Sequence, residues 1–135
     1  MSVEKQQTRE IDECPCCSGK LARECCLPIL MGRSSAKTPL ALMRSRYSAY
    51  ALGGYVEYLF ETWLPIRRSG LSVHELSVSN GKWSRLVILN KGQKGNEGFV
   101  EFNAYYLDDD FNEAIHNEKS LFKRVDGKWY YVAAI

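Results

Sequence analysis

The sequence predicts an α+β fold in which a curved antiparallel sheet packs on helices, with a small cysteine-rich segment in front. Two observations predict this architecture. Residues at helical spacing run from about residue 38 to residue 63, whereas segments rich in β-branched and aromatic residues follow residue 81. All five cysteines lie between Cys14 and Cys26. When helices precede strands in this order, the helices usually cover one face of the sheet.

The first helix is predicted to begin at Thr38-Pro39, where a hydroxyl can cap the helix and proline suits the first helical position. It should end near Gly53-Gly54. Its apolar side chains recur every three or four residues and so share one face, namely Leu40, Met43, Tyr47 and Tyr50.

Two shorter helices are expected downstream. One covers Tyr55–Trp63 and stops before Pro65, since the residue before a proline disfavours helix. Another starts near Ser72, because Ser72 and Glu75 have the spacing of a capping box.

Four strands are predicted from WSRLVILN, EGFVEFNAYY, EKSLFKRV and KWYYVAA. The turns between them are expected at Lys91–Asn96, at Asp108–Asp110 and at Asp126-Gly127, the last a strong hairpin signal. Lys91–Asn96, which reads KGQKGN, lacks the ending of a phosphate-binding loop and is predicted to be a basic turn.

Composition and charge narrow the classes of function. The chain has 135 residues and a formal net charge of +2, too small to indicate a nucleic-acid or membrane-surface partner. It contains no apolar run of the roughly 18–20 residues needed to cross a bilayer. Residues 1–12 are polar, lack the apolar centre of a secretory signal, and are expected to be a flexible lead-in. We therefore expect a cytoplasmic protein without membrane association.

The cysteine spacing predicts a structural metal site. Cys14 and Cys16 form one side, and Cys25 and Cys26 close the other. Four thiolates are the ligand set of structural zinc, and such a small segment cannot bury a core of its own. A redox site at Cys14-x-x-Cys17 would need a thioredoxin-like βαβ context, which is absent. Simple buried thiols are a poor explanation for five cysteines within thirteen residues. Four cysteines can also hold an iron–sulfur cluster, but the adjacent pair Cys25-Cys26 favours zinc.

The segment CPCCSGKLARECC resembles the SEC-C zinc-binding motif, whose usual form is CPCGSGK followed after a short variable stretch by CC or HC. That motif also lies at the tail of the SecA translocation motor. The resemblance implies a structural Zn²⁺ held by residues 13–31. Cys17 departs from the motif, which has glycine there, and is expected to be a bystander or a substitute ligand. The expected zinc ligands are Cys14, Cys16, Cys25 and Cys26.

Beyond this segment the chain resembles the bacterial YchJ family in LMRSRYSAYALGGYVEYLFETW, GFVEF, EKSLF and GKWYYV, which occur in that order. Members pair an N-terminal SEC-C motif with a domain similar to nuclear transport factor two. The resemblance implies that residues 38–135 form a cone, a curved sheet wrapped around a long helix, with a cavity at its wide end.

Several residues are candidates for that cavity. Arg44 and Arg46 diverge by about 200° around the helix, so only one can face the sheet, and Arg46 is the choice. Its guanidinium would bind an anionic ligand or form an internal ion pair with Glu101 or Glu118. Glu101 is either a buried acid–base group or a solvated carboxylate on the outer face. The predicted cavity residues are Arg46, Tyr47, Tyr50, Trp63, Trp83 and Glu101.

Neither histidine has a sequence neighbour that would identify a catalytic dyad. His116 lies among polar residues that are predicted to form a surface loop, and His74 falls in the short helix after Ser72. The triplet Asp108–Asp110 is interpreted as a solvated turn.

Two functions remain open. The preferred one is a zinc-binding adaptor or ligand-binding protein whose cysteine segment docks on a macromolecular partner and whose cavity holds a small molecule. The SecA motif binds the chaperone SecB, which implies a protein partner. A basic bias in the first forty residues leaves nucleic acid as a weaker alternative, and it comes from Lys5, Arg9, Lys20, Arg23, Arg33 and Lys37. The other function is a small enzyme that performs acid–base chemistry in the cavity. The lack of a catalytic constellation argues against an enzyme.

Overall fold

The computed structural model describes residues 13–67 and 82–135. A 3-10 turn at Ala22–Glu24 precedes three helices and four strands. The helices are α1 (Cys26–Leu30), α2 (Pro39–Leu52) and α3 (Val56–Glu61). The strands are β1 (Trp83–Lys94), β2 (Glu97–Leu107), β3 (Glu113–Val125) and β4 (Lys128–Ala134). The predicted α+β class is confirmed, whereas the lead-in at 1–12 and the helix with His74 fall outside the described residues.

The long helix α2 forms where its capping residues predicted it. The Thr38 hydroxyl accepts a hydrogen bond from the Ala41 N–H at 3.0 Å, and Gly53 ends the helix with a φ of 75°. The next helix, α3, is shorter than the predicted Tyr55–Trp63. Within the described residues, no helix is long and apolar enough to cross a membrane.

The four strands form one antiparallel sheet in sequence order, with hairpins between neighbours. Asp126 and Gly127 both have positive φ, at 52° and 81°, as a tight two-residue hairpin turn requires. The prediction of a turn over all of Lys91–Asn96 is wrong. Lys91–Lys94 continues β1 and pairs with the start of β2, so only two residues remain for the turn, and Gly95 there has a φ of 61°.

Strand β3 begins five residues earlier than predicted, so His116 lies on a strand rather than in a loop. Residues 113–118 pair one by one with Leu107–Phe102 of β2. This pairing uses backbone groups alone, so the segment joins the sheet although it has few β-branched or aromatic residues.

The helix α2 packs on one face of the sheet. A side chain at Gly98 would clash with the ring of Pro39, so the glycine allows the start of α2 to approach β2 closely. Bulges in β1 and between β3 and β4 bend the sheet around the helix. The end of α3 is fastened to β4, because the Tyr131 N–H donates to the Thr62 carbonyl at 2.7 Å. The concave side of the sheet therefore encloses a space beside α2.

Candidate metal centre and ligand cavity

In the cysteine knuckle (residues 13–31) the chain first turns back on itself and then forms the short helix α1. Glu13 and Leu21 form an antiparallel bridge, and the Cys14 N–H donates to the Lys20 carbonyl at 3.0 Å. Gly19, with a φ of 86°, allows the chain to reverse between them. The reversal brings the first two cysteines opposite the pair at the start of α1.

The four predicted ligands meet in space. The sulfur atoms of Cys14, Cys16, Cys25 and Cys26 all lie within 4.8 Å of one another. The Sγ of Cys25 lies 3.6 Å from that of Cys16 and 3.9 Å from that of Cys26. Tetrahedral zinc with bonds of about 2.3 Å would separate its sulfurs by about 3.8 Å. The donor set therefore fits a tetrahedral metal ion, and all five thiols of the chain are free.

Hydrogen bonds and burial set the protonation of these thiols. Hydrogen bonds from Cys14 and Cys26 lower the pKa of Cys16, while burial raises the pKa of Cys25. A bound metal cation would displace the protons of these thiols, since metals bind the thiolate form. The Ser18 hydroxyl lies 3.2 Å from the Sγ of Cys25, so it can donate a hydrogen bond to that sulfur and hold it in place.

Cys17 lies outside the four-sulfur group. Its φ is 62°, a left-handed conformation that glycine adopts without strain, which accounts for the glycine of the motif. Its sulfur accepts a hydrogen bond from the Leu86 N–H at 3.4 Å, so the side chain is directed toward β1. This geometry separates Cys17 from the four-sulfur group, and whether it can substitute for one of the four stays a prediction.

The knuckle packs against one side of α2. The Sγ of Cys14 lies 3.7 Å from the Ser48 hydroxyl, and the Arg44 guanidinium donates to the Cys16 carbonyl. Cys14, Cys16 and Cys26 are buried in the same apolar core as α2. The knuckle is thus part of the domain wall rather than a detached ribbon.

A cavity of about 470 Å³ lies between α2 and the concave face of the sheet. Five of the six predicted cavity residues line it, namely Arg46, Tyr47, Tyr50, Trp63 and Trp83. Glu101 does not, because side chains alternate along β2 and those of Phe102 and Ala104 face the cavity instead. The choice of Glu101 as an acid–base group in the cavity is therefore corrected, and the outer-face alternative holds.

Arg46 is the buried cation of the cavity, with 6% of its surface exposed. Its Nη1 donates to the Leu59 carbonyl and to the Thr62 hydroxyl, both at 2.7 Å, and its Cζ lies 4.8 Å from the centre of the Tyr131 ring. Burial lowers the pKa of Arg46. Among the described residues no carboxylate lies within ion-pair distance, so the alternative of an ion pair with Glu101 or Glu118 is not realised.

A second polar group of the cavity centres on Glu118. Its carboxylate accepts hydrogen bonds from the hydroxyls of Ser120 at 2.6 Å and Tyr131 at 3.0 Å, and its other oxygen lies 3.0 Å from the Nε2 of His116. Burial alone would raise the pKa of Glu118, but these hydrogen bonds outweigh burial and lower it. Glu118 is therefore an anion at neutral pH.

The sequence interpretation missed the pair formed by His116 and Glu118. Counting back by twos from the buried Phe122 puts Ser120, Glu118 and His116 on the cavity face of one strand. That alternation was the available signal. The assignment of residues 113–117 to a loop concealed it.

The rest of the lining is largely aromatic. Trp83 makes edge-to-face contacts with Tyr47 and Tyr106, with ring centres 6.2 and 5.4 Å apart. The indole Nε1 of Trp63 donates to the Val132 carbonyl at 3.2 Å. The Nε1 of Trp83 is buried and has no hydrogen-bond partner among the described residues. The Nε1 of Trp129, which does not line the cavity, is in the same state.

Comparisons with known proteins agree on one family. The family model described as "YchJ, middle NTF2-like domain" matches residues 38–134. A UPF0225 protein of Pectobacterium carotovorum subsp. carotovorum is 38% identical over 131 residues, covering 92% of this chain and 83% of that protein. A UPF0225 protein of Serratia proteamaculans is also 38% identical, covering 88% and 80%. The solution structure of a SEC-C motif containing protein from Rhodopseudomonas palustris has a TM-score of 0.83 and 37% identity, covering 91% of this chain and 97% of that chain.

Proposed function

The chain belongs to the YchJ family, and we propose that it is a zinc-stabilised binding protein that holds a small, largely apolar molecule in the cavity of its cone. The observation that carries this proposal is the cavity itself, in which an aromatic lining surrounds a few converging polar groups. Its volume of about 470 Å³ falls within the range of about 300–1,000 Å³ typical of small-molecule sites.

In this proposal the zinc ion has a structural role. Cys14, Cys16, Cys25 and Cys26 would supply four sulfur ligands and leave no open coordination position for a substrate. Bound zinc would hold together a segment too small to fold through its own core. Because the knuckle packs on α2, the ion would also stabilise one wall of the cone.

Docking of a protein partner on the knuckle remains a prediction. One side of the knuckle is occupied by α2, through Arg44 and Ser48. A partner would therefore use the opposite side, where Arg23 and Glu24 are exposed. Metal-dependent co-purification of a partner, lost when the metal is removed, would support docking.

The three tryptophans allow ligand binding to be tested directly. Trp63 and Trp83 line the cavity, whereas Trp129 is buried elsewhere in the core and is an internal control. A panel of one- and two-ring aromatic compounds, including 2-naphthol, is titrated into the ¹⁵N-labelled protein. We expect saturable shifts of the Trp63 and Trp83 indole signals while that of Trp129 stays in place. Shifts of all three together, or of none, would contradict the proposal.

A matched pair of variants adds a second measurement. Ala104 faces the cavity, so Ala104→Phe should fill it and abolish binding. Asn103→Phe introduces the same ring on the outer face and should leave binding unchanged. Equal loss of binding in both variants would show that the aromatic compounds bind outside the cavity.

A second candidate function, acid–base catalysis, is favoured by the His116–Glu118 pair. Glu118 would accept a hydrogen bond from the Nε2–H of His116 and so orient the imidazole, which leaves the other ring nitrogen, Nδ1, to remove a proton from a bound molecule. The test is exchange of ligand C–H protons in D₂O. His116→Gln should stop the exchange while the Trp63 and Trp83 shifts persist, whereas exchange at the wild-type rate in this variant would exclude the role.

A further inference from the structure

We propose that the cavity selects an organic anion, an aromatic or similarly apolar carboxylate whose anionic group binds Arg46. This inference rests on the proposed function and specifies its ligand class. It is carried by three observations on the cavity residues, which concern the guanidinium donors, the balance of charge, and the character of the remaining lining.

The guanidinium of Arg46 has unused donors in a buried place. Arginine carries five N–H donors, and both hydrogen bonds to Leu59 and Thr62 come from Nη1. Nε and Nη2, the edge that binds a carboxylate with two parallel hydrogen bonds, have no partner among the described residues. A cation that is 6% exposed and has no carboxylate within ion-pair distance among the described residues is costly, because Glu118 acts on it only at longer range. An anionic ligand in contact with the guanidinium would reduce that cost.

The carboxylate of Glu118, which lines the cavity, already has hydrogen-bond partners other than Arg46. Glu118 receives hydrogen bonds from Ser120 and Tyr131 and contacts His116, so its oxygens are occupied. The Tyr131 ring contacts the Arg46 guanidinium, and the Tyr131 hydroxyl bonds to Glu118, so the ring lies between the two charges. Two of the described lining residues, Arg46 and Lys82, are cationic at neutral pH and one is anionic, which favours an anion in the cavity.

The remaining lining selects an apolar body. Aromatic rings form most of the wall, so a bare inorganic anion would leave them facing water, whereas a ring-bearing molecule would contact them. An apolar molecule with a single carboxylate satisfies both the guanidinium and the rings.

The competing explanation is that Arg46 only stabilises the end of α3 by hydrogen bonding. In that case its bonds to Leu59 and Thr62 would be its whole role, and the charge of a ligand would not matter. Three ligands with the same two-ring body separate the explanations: 2-naphthoate, 2-naphthamide and 2-naphthylmethylammonium. Their dissociation constants are measured by calorimetry at neutral pH on the metal-loaded full chain.

We expect 2-naphthoate to bind at least tenfold more tightly than the amide, and the ammonium compound most weakly. Arg46→Met should remove the preference, and Arg46→Lys should keep part of it because the charge remains. Arg85→Met is the matched control, since Arg85 is an exposed cation that pairs with Glu113 at 3.2 Å away from the cavity. It should leave the preference unchanged.

The outcomes distinguish this inference from the proposed function. Equal binding of naphthoate and naphthamide, or tighter binding of the ammonium compound, would overturn the anion inference and leave a binding cavity. Absence of binding by all three would overturn the proposed function as well. If the Arg46 variants do not fold, the ligand series on the wild-type protein decides the question.

Discussion

The cysteine knuckle and the cavity share the helix α2 but are built in different ways. Arg44 and Ser48 of that helix contact the knuckle, while Arg46 and Tyr50 line the cavity. The four sulfurs come from thirteen consecutive residues, whereas the cavity draws on residues from Met43 to Tyr131. A local cluster can depend on a metal ion for its stability. A cavity whose residues are far apart in the sequence forms only when the whole sheet is folded.

The comparison separates two sources of stability. Structural zinc contributes on the order of 10–16 kcal/mol in small peptides, which can replace a hydrophobic core. The cone has such a core, with Leu42, Val100 and Phe122 fully buried between α2 and the sheet. The knuckle should therefore respond to changes in sulfur ligands, and the cone to changes in packing.

The largest expected effect is the loss of a sulfur ligand. Cys26→Ser should abolish metal binding and cost several kcal/mol of stability, because the knuckle loses the contribution of the metal while its contacts with α2 remain. Native mass spectrometry and thermal unfolding measure both quantities. Cys17→Ser is the matched control and should keep one metal ion per chain. A metal-free Cys17→Ser protein would show that the ligand set is wrong.

A truncation in the core should separate the two regions. Phe122 is 1% exposed, so Phe122→Ala should lower the free energy of unfolding by about 3–5 kcal/mol. Metal content measured by mass spectrometry should stay at the wild-type value, because the four sulfurs come from one local segment that contacts α2 through Arg44 and Ser48. Loss of metal in this variant would mean that the knuckle and the cone fold as one unit.

An intermediate effect is expected at Glu118. Its pKa is lowered in the folded protein, so its contribution to stability is present above the ordinary glutamate value of 4.5 and is lost as the pH falls below that value. Glu118→Gln should therefore lower the free energy of unfolding by about 1–3 kcal/mol at pH 7. That difference should shrink in denaturant titrations below about pH 4.5. A difference that is constant with pH would show that the charge of Glu118 does not stabilise the fold.

The smallest effect is expected at Cys17, where the backbone is left-handed with a φ of 62°. Cys17→Gly should be more stable than Cys17→Ala by about 1 kcal/mol, since only glycine adopts this conformation without strain. The comparison with alanine removes the sulfur from both variants, so the backbone alone is measured. Equal unfolding temperatures would show that the turn relaxes to a right-handed conformation.

The sequence predicted the knuckle well because its chemistry is local. The four ligands are close along the chain, and the spacing of Cys14, Cys16 and the Cys25-Cys26 pair already restricts how they can meet. The helix α2 was equally predictable from the sequence, since Thr38 and Gly53 mark its ends. The four strands and their antiparallel order also followed from local signals, such as the turn at Asp126-Gly127.

The cavity was only partly predictable, because its residues meet through the sheet. Helical geometry identified Arg46 as the inward-facing arginine. Strand β2 carries apolar side chains on both faces, so its alternation alone did not show which face Glu101 occupies. The approach of Pro39 to Gly98 puts α2 on the face opposite Glu101, and that contact cannot be read from the sequence.

The contact of the knuckle with Ser48 and Arg44 of α2 limits how the molecule can be divided into fragments. A fragment that begins at Pro39 would expose this side of α2 to solvent, and an isolated knuckle would lose the surface on which Cys14 rests. The cysteine knuckle is consequently not a unit that can be moved to another protein by itself. A chimera between relatives should exchange it together with the long helix, so that the two surfaces remain a matched pair.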